Sequence, residues 1–338
     1  MAVLPKIVAL ETTNTCNARC PFCPLFQGDA QMDRRSRHAT IMDQALFQAC
    51  VSEIVSWETK PDTIYLNMNG EPLSDPYFAG RLLALRKAGL GPIVDLQTNG
   101  QYLSEAIGRA ILEAGIRRLT LGFDGATPET YAAHRVRCDY YRVLANLKQF
   151  ARLRDEGGYR TRIAIQFVRT LMNEREVLAA YSLFDEILDP DLDIFQDTLA
   201  KDWGDTAAKS NIYYLSKRTS STPSGCQLFE TQLIVLADGV MAACCWDYNL
   251  GVSGGGFGTI KGRDMLKIWR GQKRQSVLER MRSPQLADKP QKCRTCISLF
   301  GGEQIERELS KLSDDRVYMS PSGFSYRFTR KTRTDRQT

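Results

Sequence analysis

No stretch of this sequence approaches the ~20 consecutive apolar residues that a membrane-spanning helix needs, so no membrane association through a helical span is expected. The first ten residues carry neither a basic n-region nor a long apolar h-region, which argues against a secretory signal and for a cytoplasmic protein. No basic patch interleaved with aromatics stands in the main part of the chain, so no nucleic-acid partner is expected. The formal net charge is only +6. Its most basic stretch, Arg327 to Arg336, reads as a disordered tail, and residues 313–338 are assigned to that tail. The triple glycine at 254–256 lacks the Lys-Ser/Thr of a phosphate loop and reads as a connector.

What remains is an ordinary globular composition, 43% hydrophobic and 25% charged over 338 residues. That suits one large domain plus a smaller one. Against it, ten cysteines stand out. In a reducing compartment they point to metal binding or catalysis rather than to disulfides. Eight fall in two groups: Cys16, Cys20 and Cys23, then Cys226, Cys244, Cys245, Cys293 and Cys296. Cys50 and Cys138 stand alone and read as buried, inert thiols.

From residue 6 to about 197, strand-like apolar runs alternate with helical periodicity. Strands are expected over Lys6–Glu11, Thr63–Met68, Pro92–Gln97, Arg118–Gly122, Thr161–Val168 and Asp191–Asp197. Helices are expected over Asp43–Ser56, Tyr77–Ala88, Ser104–Glu113, Tyr140–Arg154 and Glu174–Ile187, with Asp43, Ser104 and Asn173 as N-caps. Six β-α alternations imply an α/β fold with a parallel sheet. Six units are too few for a closed eight-stranded barrel, so the expectation is a partial, open (β/α)6 barrel over residues 1–200. Ligands in such sheets gather at the C-terminal strand ends, where the first cysteine loop follows the first strand.

In that loop, Cys16-Asn17-Ala18-Arg19-Cys20-Pro21-Phe22-Cys23, three thiols at C-x3-C-x2-C spacing fit three corners of a cubane cluster. A structural site wants four ligands. Three leave one metal corner open, as catalysis requires. The spacing, with Phe22 just before the third Cys, resembles the signature of the radical S-adenosylmethionine (SAM) superfamily. The resemblance implies a [4Fe-4S] cluster whose unique iron binds SAM, and reductive cleavage to a 5′-deoxyadenosyl radical. Asn69-Gly70-Glu71-Pro72 after the second strand resembles the Gly-Gly-Glu-Pro motif of that family, with Asn69 in place of the first Gly. It implies that backbone and Glu71 grip the amine of SAM. Thr98-Asn99-Gly100 and the segment from Phe123-Asp124-Gly125 to Tyr131 also look familial, and Thr98, Asn99 and Asp124 are carried over as cofactor-binding candidates. Phe123 departs from the polar residue often found there, which weakens a ribose role at that position.

Cys226, Cys244, Cys293 and Cys296 follow at C-x17-C-x48-C-x2-C spacing. Gln232–Leu236 and Val240–Ala243 read as a hairpin, and 265–281 as one amphipathic helix. Such a unit has too small a core to fold well without metal. Zinc on the same four thiols is the generic alternative. The pattern resembles the SPASM or twitch auxiliary-cluster modules that follow many radical SAM barrels, here over residues 226–312 after a linker at 201–225. The joined pattern is similar to that of aminoglycoside and nucleoside-antibiotic tailoring enzymes, epimerases and dehydrogenases among them.

The resemblance implies two [4Fe-4S] clusters, SAM, a flavodoxin- or ferredoxin-type electron donor, and a small polar substrate. Alternate strand residues face opposite ways, so Cys244 and Cys245 are not expected to hold one metal together, and which of the two ligates stays open. With Cys244 as the ligand, Cys245 becomes a candidate hydrogen-atom donor. Asp247, two residues on, is expected to share its face and bind substrate. Trp203 and Asp202, after the sixth strand, are expected to wall the substrate site. Epimerisation of a sugar or aminocyclitol carbon leads over alcohol oxidation, with radical decarboxylation of a sugar acid third. A peptide-modifying enzyme is a further alternative, against which stands the lack of room for a peptide-binding domain before Cys16.

Overall fold

A computed structural model describes residues 4–23, 38–200 and 226–296, with the backbone of two further strands, Val317–Ser320 and Gly323–Arg327. Six strands form a parallel series in sequence order: β1 (Ile7–Leu10), β2 (Thr63–Tyr65), β3 (Val94–Thr98), β4 (Arg118–Gly122), β5 (Arg162–Arg169) and β6 (Ile194–Leu199). Helices α1 (Gln44–Ser56), α2 (Phe78–Lys87), α3 (Glu105–Glu113), α4 (Pro128–His134), α5 (Tyr140–Glu156) and α6 (Val177–Asp185) connect them. The result is the expected α/β fold with an open, mostly parallel sheet.

Local chemistry sets the helix starts. The Asp43 carboxylate accepts from the Ala45 and Leu46 N–H groups, and Ser104 caps α3 through Ile107 N–H. Each cap contributes roughly 1 kcal/mol. Asn173 does not cap: its amide instead donates to the Asp124 and Val168 carbonyls, bracing the β5 loop. Along the strands, Val8, Leu10, Ile64, Leu96, Leu121 and Ile165 bury against Phe47, Leu82, Ile111 and Phe150 of the helices. Burial of one such side chain contributes roughly 1.5–3 kcal/mol. The alternate residues face away from the helices. Ala9 there joins a second, smaller apolar patch with Ile234, Leu236 and Ala242, against which Tyr65, Met68 and Cys245 rest.

Four results differ from the sequence reading. β2 stops at Tyr65, and residues 66–71 loop over the strand ends. The expected hairpin, β7 (Gln232–Val235) and β8 (Met241–Ala242), extends the main sheet, because β7 pairs parallel with β1. The single helix expected at 265–281 is two, α8 (Met265–Trp269) and α9 (Gln272–Arg282), divided at Gly271. Residues 317–320 and 323–327 are not a loose tail: β9 (Val317–Ser320) pairs antiparallel with β10 (Gly323–Arg327), which pairs antiparallel with β6. The strand order is β8-β7-β1-β2-β3-β4-β5-β6-β10-β9. Among the described residues, no helix is long and apolar enough to cross a membrane.

Candidate active site

The first cysteine loop lies over the C-terminal ends of β1 to β4, held by its backbone. Cys23 N–H donates to Cys20 carbonyl at 3.0 Å, Arg19 N–H to Val136 carbonyl at 2.9 Å, and Glu71 N–H to Thr15 carbonyl at 2.7 Å. Gly70 permits this approach. Its φ is +84°, and a Cβ there would fall 2.6 Å from the Thr13 carbonyl oxygen. Burial pushes the Cys16 and Cys20 thiols up, with Glu71 adding to the effect at Cys16 and Arg135 opposing it at Cys20. Side-chain N–H donors also face these sulfurs: Asn99 Nδ2 lies 4.0 Å from Cys16 Sγ, and Arg135 Nη1 lies 3.9 Å from Cys20 Sγ.

The other carried-over residues organise this loop rather than line an open cavity. Glu71 is buried, and its carboxylate accepts from Leu73 N–H at 3.0 Å, Thr98 hydroxyl at 2.6 Å and Asn99 N–H at 2.7 Å. Burial raises its pKa and those hydrogen bonds oppose the rise. Asn69 donates to Glu11, whose carboxylate also takes Ala237 N–H, tying the loop to the β7–β8 turn. Pro72 opens a short 3-10 turn.

Asp124, a cofactor-binding candidate in the sequence, is held within the protein here. It is fully buried, accepts from Val168 N–H at 2.6 Å and ion-pairs with Arg135. Arg135 itself was not singled out in the sequence. It sits at the C-cap of α4, and its guanidinium lies 5.5 Å from the centre of the Phe22 ring. A Cβ on Gly122 would fall 2.1 Å from it, so that glycine makes its berth. Phe123 is buried between Tyr131, Tyr140 and Phe184, which accounts for its apolar character.

The second cysteine group divides in space. Cys226, Cys244, Cys293 and Cys296 line one small cavity with Leu228, Phe229, Trp246, Val252 and Met281. Cys245 is not among its walls. It packs against the apolar patch of Ala9, Ile234, Leu236 and Ala242 on the helix-free face of the sheet. Neutral polar side chains occupy the same face further along: Gln97 donates to Gln166 across β3 and β5, and Thr120 and Gln196 occupy the same alternation on β4 and β6. Asp247 is a correction. β8 ends at Ala242, so alternation no longer places Asp247 with Cys245. The chain turns, Asp247 N–H donating to Cys244 carbonyl at 3.0 Å. The buried carboxylate accepts from Ala243, Val252 and Ser253 N–H groups, which leaves it as a loop anchor. Asp202 and Trp203 lie outside the described residues.

Single-ion zinc needs its sulfurs ~2.3 Å from one centre. A cubane takes each thiolate on a different iron, which suits the four thiols that ring the small cavity, and the three thiols of the first loop are the donor set of a cluster with one open corner.

A profile of the radical SAM superfamily matches residues 10–163, and one of the SPASM iron–sulfur cluster-binding domain matches residues 226–297. The chain is a radical SAM enzyme with a SPASM module. Such an enzyme uses a [4Fe-4S] cluster and SAM, and the SPASM module implies further iron–sulfur binding. No curated protein matches the chain in sequence. Among solved structures it resembles BtrN in complex with AdoMet and 2-DOIA, at 16% identity over 88% of this chain and 94% of that one, with a TM-score of 0.55. SuiB of Streptococcus suis bound to its precursor peptide SuiA aligns at 13% identity over 97% and 75%, with a TM-score of 0.64. The anSMEcpe enzyme with bound AdoMet aligns at 18% over 88% of each chain, with a TM-score of 0.54. At these identities the likenesses show the fold.

Proposed function

We propose that this radical SAM enzyme inverts a C–H carbon of a sugar or aminocyclitol, with Cys245 as hydrogen-atom donor. The observation that carries the reading is the parting of adjacent cysteines: Cys244 walls the four-thiol cavity while Cys245 rests on the opposite, helix-free face. In this reading Cys16, Cys20 and Cys23 hold the first cluster, and Cys226, Cys244, Cys293 and Cys296 the second. When bound, the cluster and SAM supply a primary carbon radical that removes a substrate hydrogen atom. Glu71, through its three hydrogen bonds, fixes the loop that meets the methionyl end of SAM. Arg135 offers a cation to the SAM carboxylate, and Asp124 holds that cation in place.

The residues on the helix-free face do the rest. Gln97, Thr120, Gln166 and Gln196 offer neutral donors and acceptors suited to a hydroxyl-rich ring. The Cys245 thiol gives its hydrogen atom to the substrate radical from the face opposite abstraction. The sulfur radical left behind needs one electron and one proton to become a thiol again. The BtrN structure holds 2-DOIA, which supports a small polar substrate for this fold, whereas SuiB holds a peptide.

Product mass in heavy water tests the proposal with a candidate aminocyclitol. Inversion adds one deuterium and keeps the formula, while alcohol oxidation removes two hydrogens. Cys245→Ala should leave 5′-deoxyadenosine formation and abolish inversion. Inversion that survives in this variant removes Cys245 from the mechanism.

A further inference from the structure

The SPASM-matched region is unusually cationic. Residues 226–296 carry eleven Lys and Arg against six Asp and Glu. Several of these cations take neutral oxygens as partners. Lys273 Nζ donates to the Gly254 and Gly256 carbonyls, and Arg280 Nε to the Asp288 carbonyl. Lys289 Nζ donates to the Met281 and Ser283 carbonyls, and Arg294 to those of Lys289 and Ala287. A carbonyl satisfies the hydrogen bond and leaves the full charge. Buried Lys289 turns its charge to Cys226 and Cys293, while Lys273 and Arg280 are exposed.

Those two exposed cations line a groove of about 620 Å³ with Gly251, Val252, Ser276 and Gln291, and among the described residues no carboxylate is in its walls. Val252 is also a wall of the four-cysteine cavity. The groove and the cavity are thus two sides of one residue. A positive surface this close to a redox centre has the requirements of an electron-transfer contact: charge complementarity for rapid encounter, and a thin barrier behind it.

We propose that this groove docks an acidic one-electron carrier protein, of the flavodoxin or ferredoxin kind, and exchanges single electrons with the four-cysteine cluster across Val252. In each transfer the reduced carrier loses one electron and the oxidised cluster gains one; no bond forms or breaks. The inference rests on the second cluster, and it holds whether the enzyme inverts or oxidises its substrate. A sulfur radical at Cys245 would draw its electron from this cluster, and a ketone-forming reaction would return one to it.

The test uses the cluster-loaded full chain and an acidic flavodoxin. Binding is measured at several salt concentrations, and cluster reduction is followed by electron paramagnetic resonance. Arg280→Glu and, separately, Ser276→Glu place a negative charge in the groove without removing the Lys273 anchor of the glycine loop. Each should weaken flavodoxin binding by about ten-fold or more and flatten its salt dependence. Reduction by dithionite, which needs no docking, and the iron and sulfide content should stay as in the parent. Unchanged binding and salt dependence in both variants overturns the docking site. Loss of iron and sulfide from the parent protein would instead remove the cluster beneath it.

Discussion

The barrel and the SPASM region treat buried positive charge in opposite ways. In the barrel, buried arginines are matched with carboxylates: Arg81 with Asp75 at 2.5 Å, Arg154 with Asp193 at 2.6 Å, and Arg169 with Asp197. In the SPASM region, buried Arg274 lies over Trp269 and donates to the Phe229 carbonyl, and burial pulls its pKa down to about 10. Lys289 likewise bonds only to carbonyls. The barrel neutralises itself; the smaller region is left positive, as a host for an anionic thiolate cluster would be. A buried cation without a carboxylate is costly unless another anion arrives. The difference teaches that the barrel is complete as protein, whereas the SPASM region is electrostatically complete only with its cluster.

The largest expected effect follows from removing that anion. Stripping iron from the protein, or Cys293→Ala, should unfold residues 226–296 while β1–β6 persist. Hydrogen exchange would read this as lost protection in α9 with protection kept in β3 and β4. Equal protection in both regions would break the comparison. A smaller effect separates the two kinds of cation. Asp193→Ala leaves buried Arg154 in the barrel with only the half-exposed Asp155 as a carboxylate partner and should cost about 3 kcal/mol in denaturant unfolding, with or without iron. Lys289→Met should leave the unfolding of the iron-free protein unchanged, because residues 226–296 are already unfolded there. In the loaded protein the same change should speed iron loss, because the charge of Lys289 favours the thiolates of Cys226 and Cys293.

The parts of this design visible in the sequence were those carried by thiol spacing and by alternation along regular strands. Both cysteine groups, the six βα units and the Asp43 and Ser104 caps depend on a few neighbouring residues. Asp247 escaped because the counting rule for strands stops where β8 stops, at Ala242. Arg135 escaped because it comes from the end of α4, which is not among the helices expected from the sequence, and only folding brings it beside Cys20. Strand β10, paired with β9, lies against β6, more than a hundred residues earlier, so no local signal announces the pairing. Phe324 and Tyr326 alternating with Ser325 were the one hint.

The smallest expected effect lies at the junction of the two regions. Glu53 of α1 reaches across to accept from the Met265 and Leu266 N–H groups at the start of α8. Burial raises its pKa above the ordinary 4.5, nearby Asp264 adds to the rise, and the two N–H groups oppose it. Folded Glu53 therefore holds its proton more tightly than the unfolded chain does. Its contribution to stability is greatest below the unfolded value and declines as pH rises through the folded one. Because the carboxyl is partly exposed, the change should stay below about 1 kcal/mol. Glu53→Gln should flatten this decline in the thermal unfolding of the iron-loaded protein, even if the amide caps α8 less well. The slope rather than the midpoint is the informative quantity, since any lost cap lowers stability equally at every pH. An identical slope in the variant would mean that the SPASM region rests on the barrel through packing alone, and that its charge imbalance concerns only the cluster.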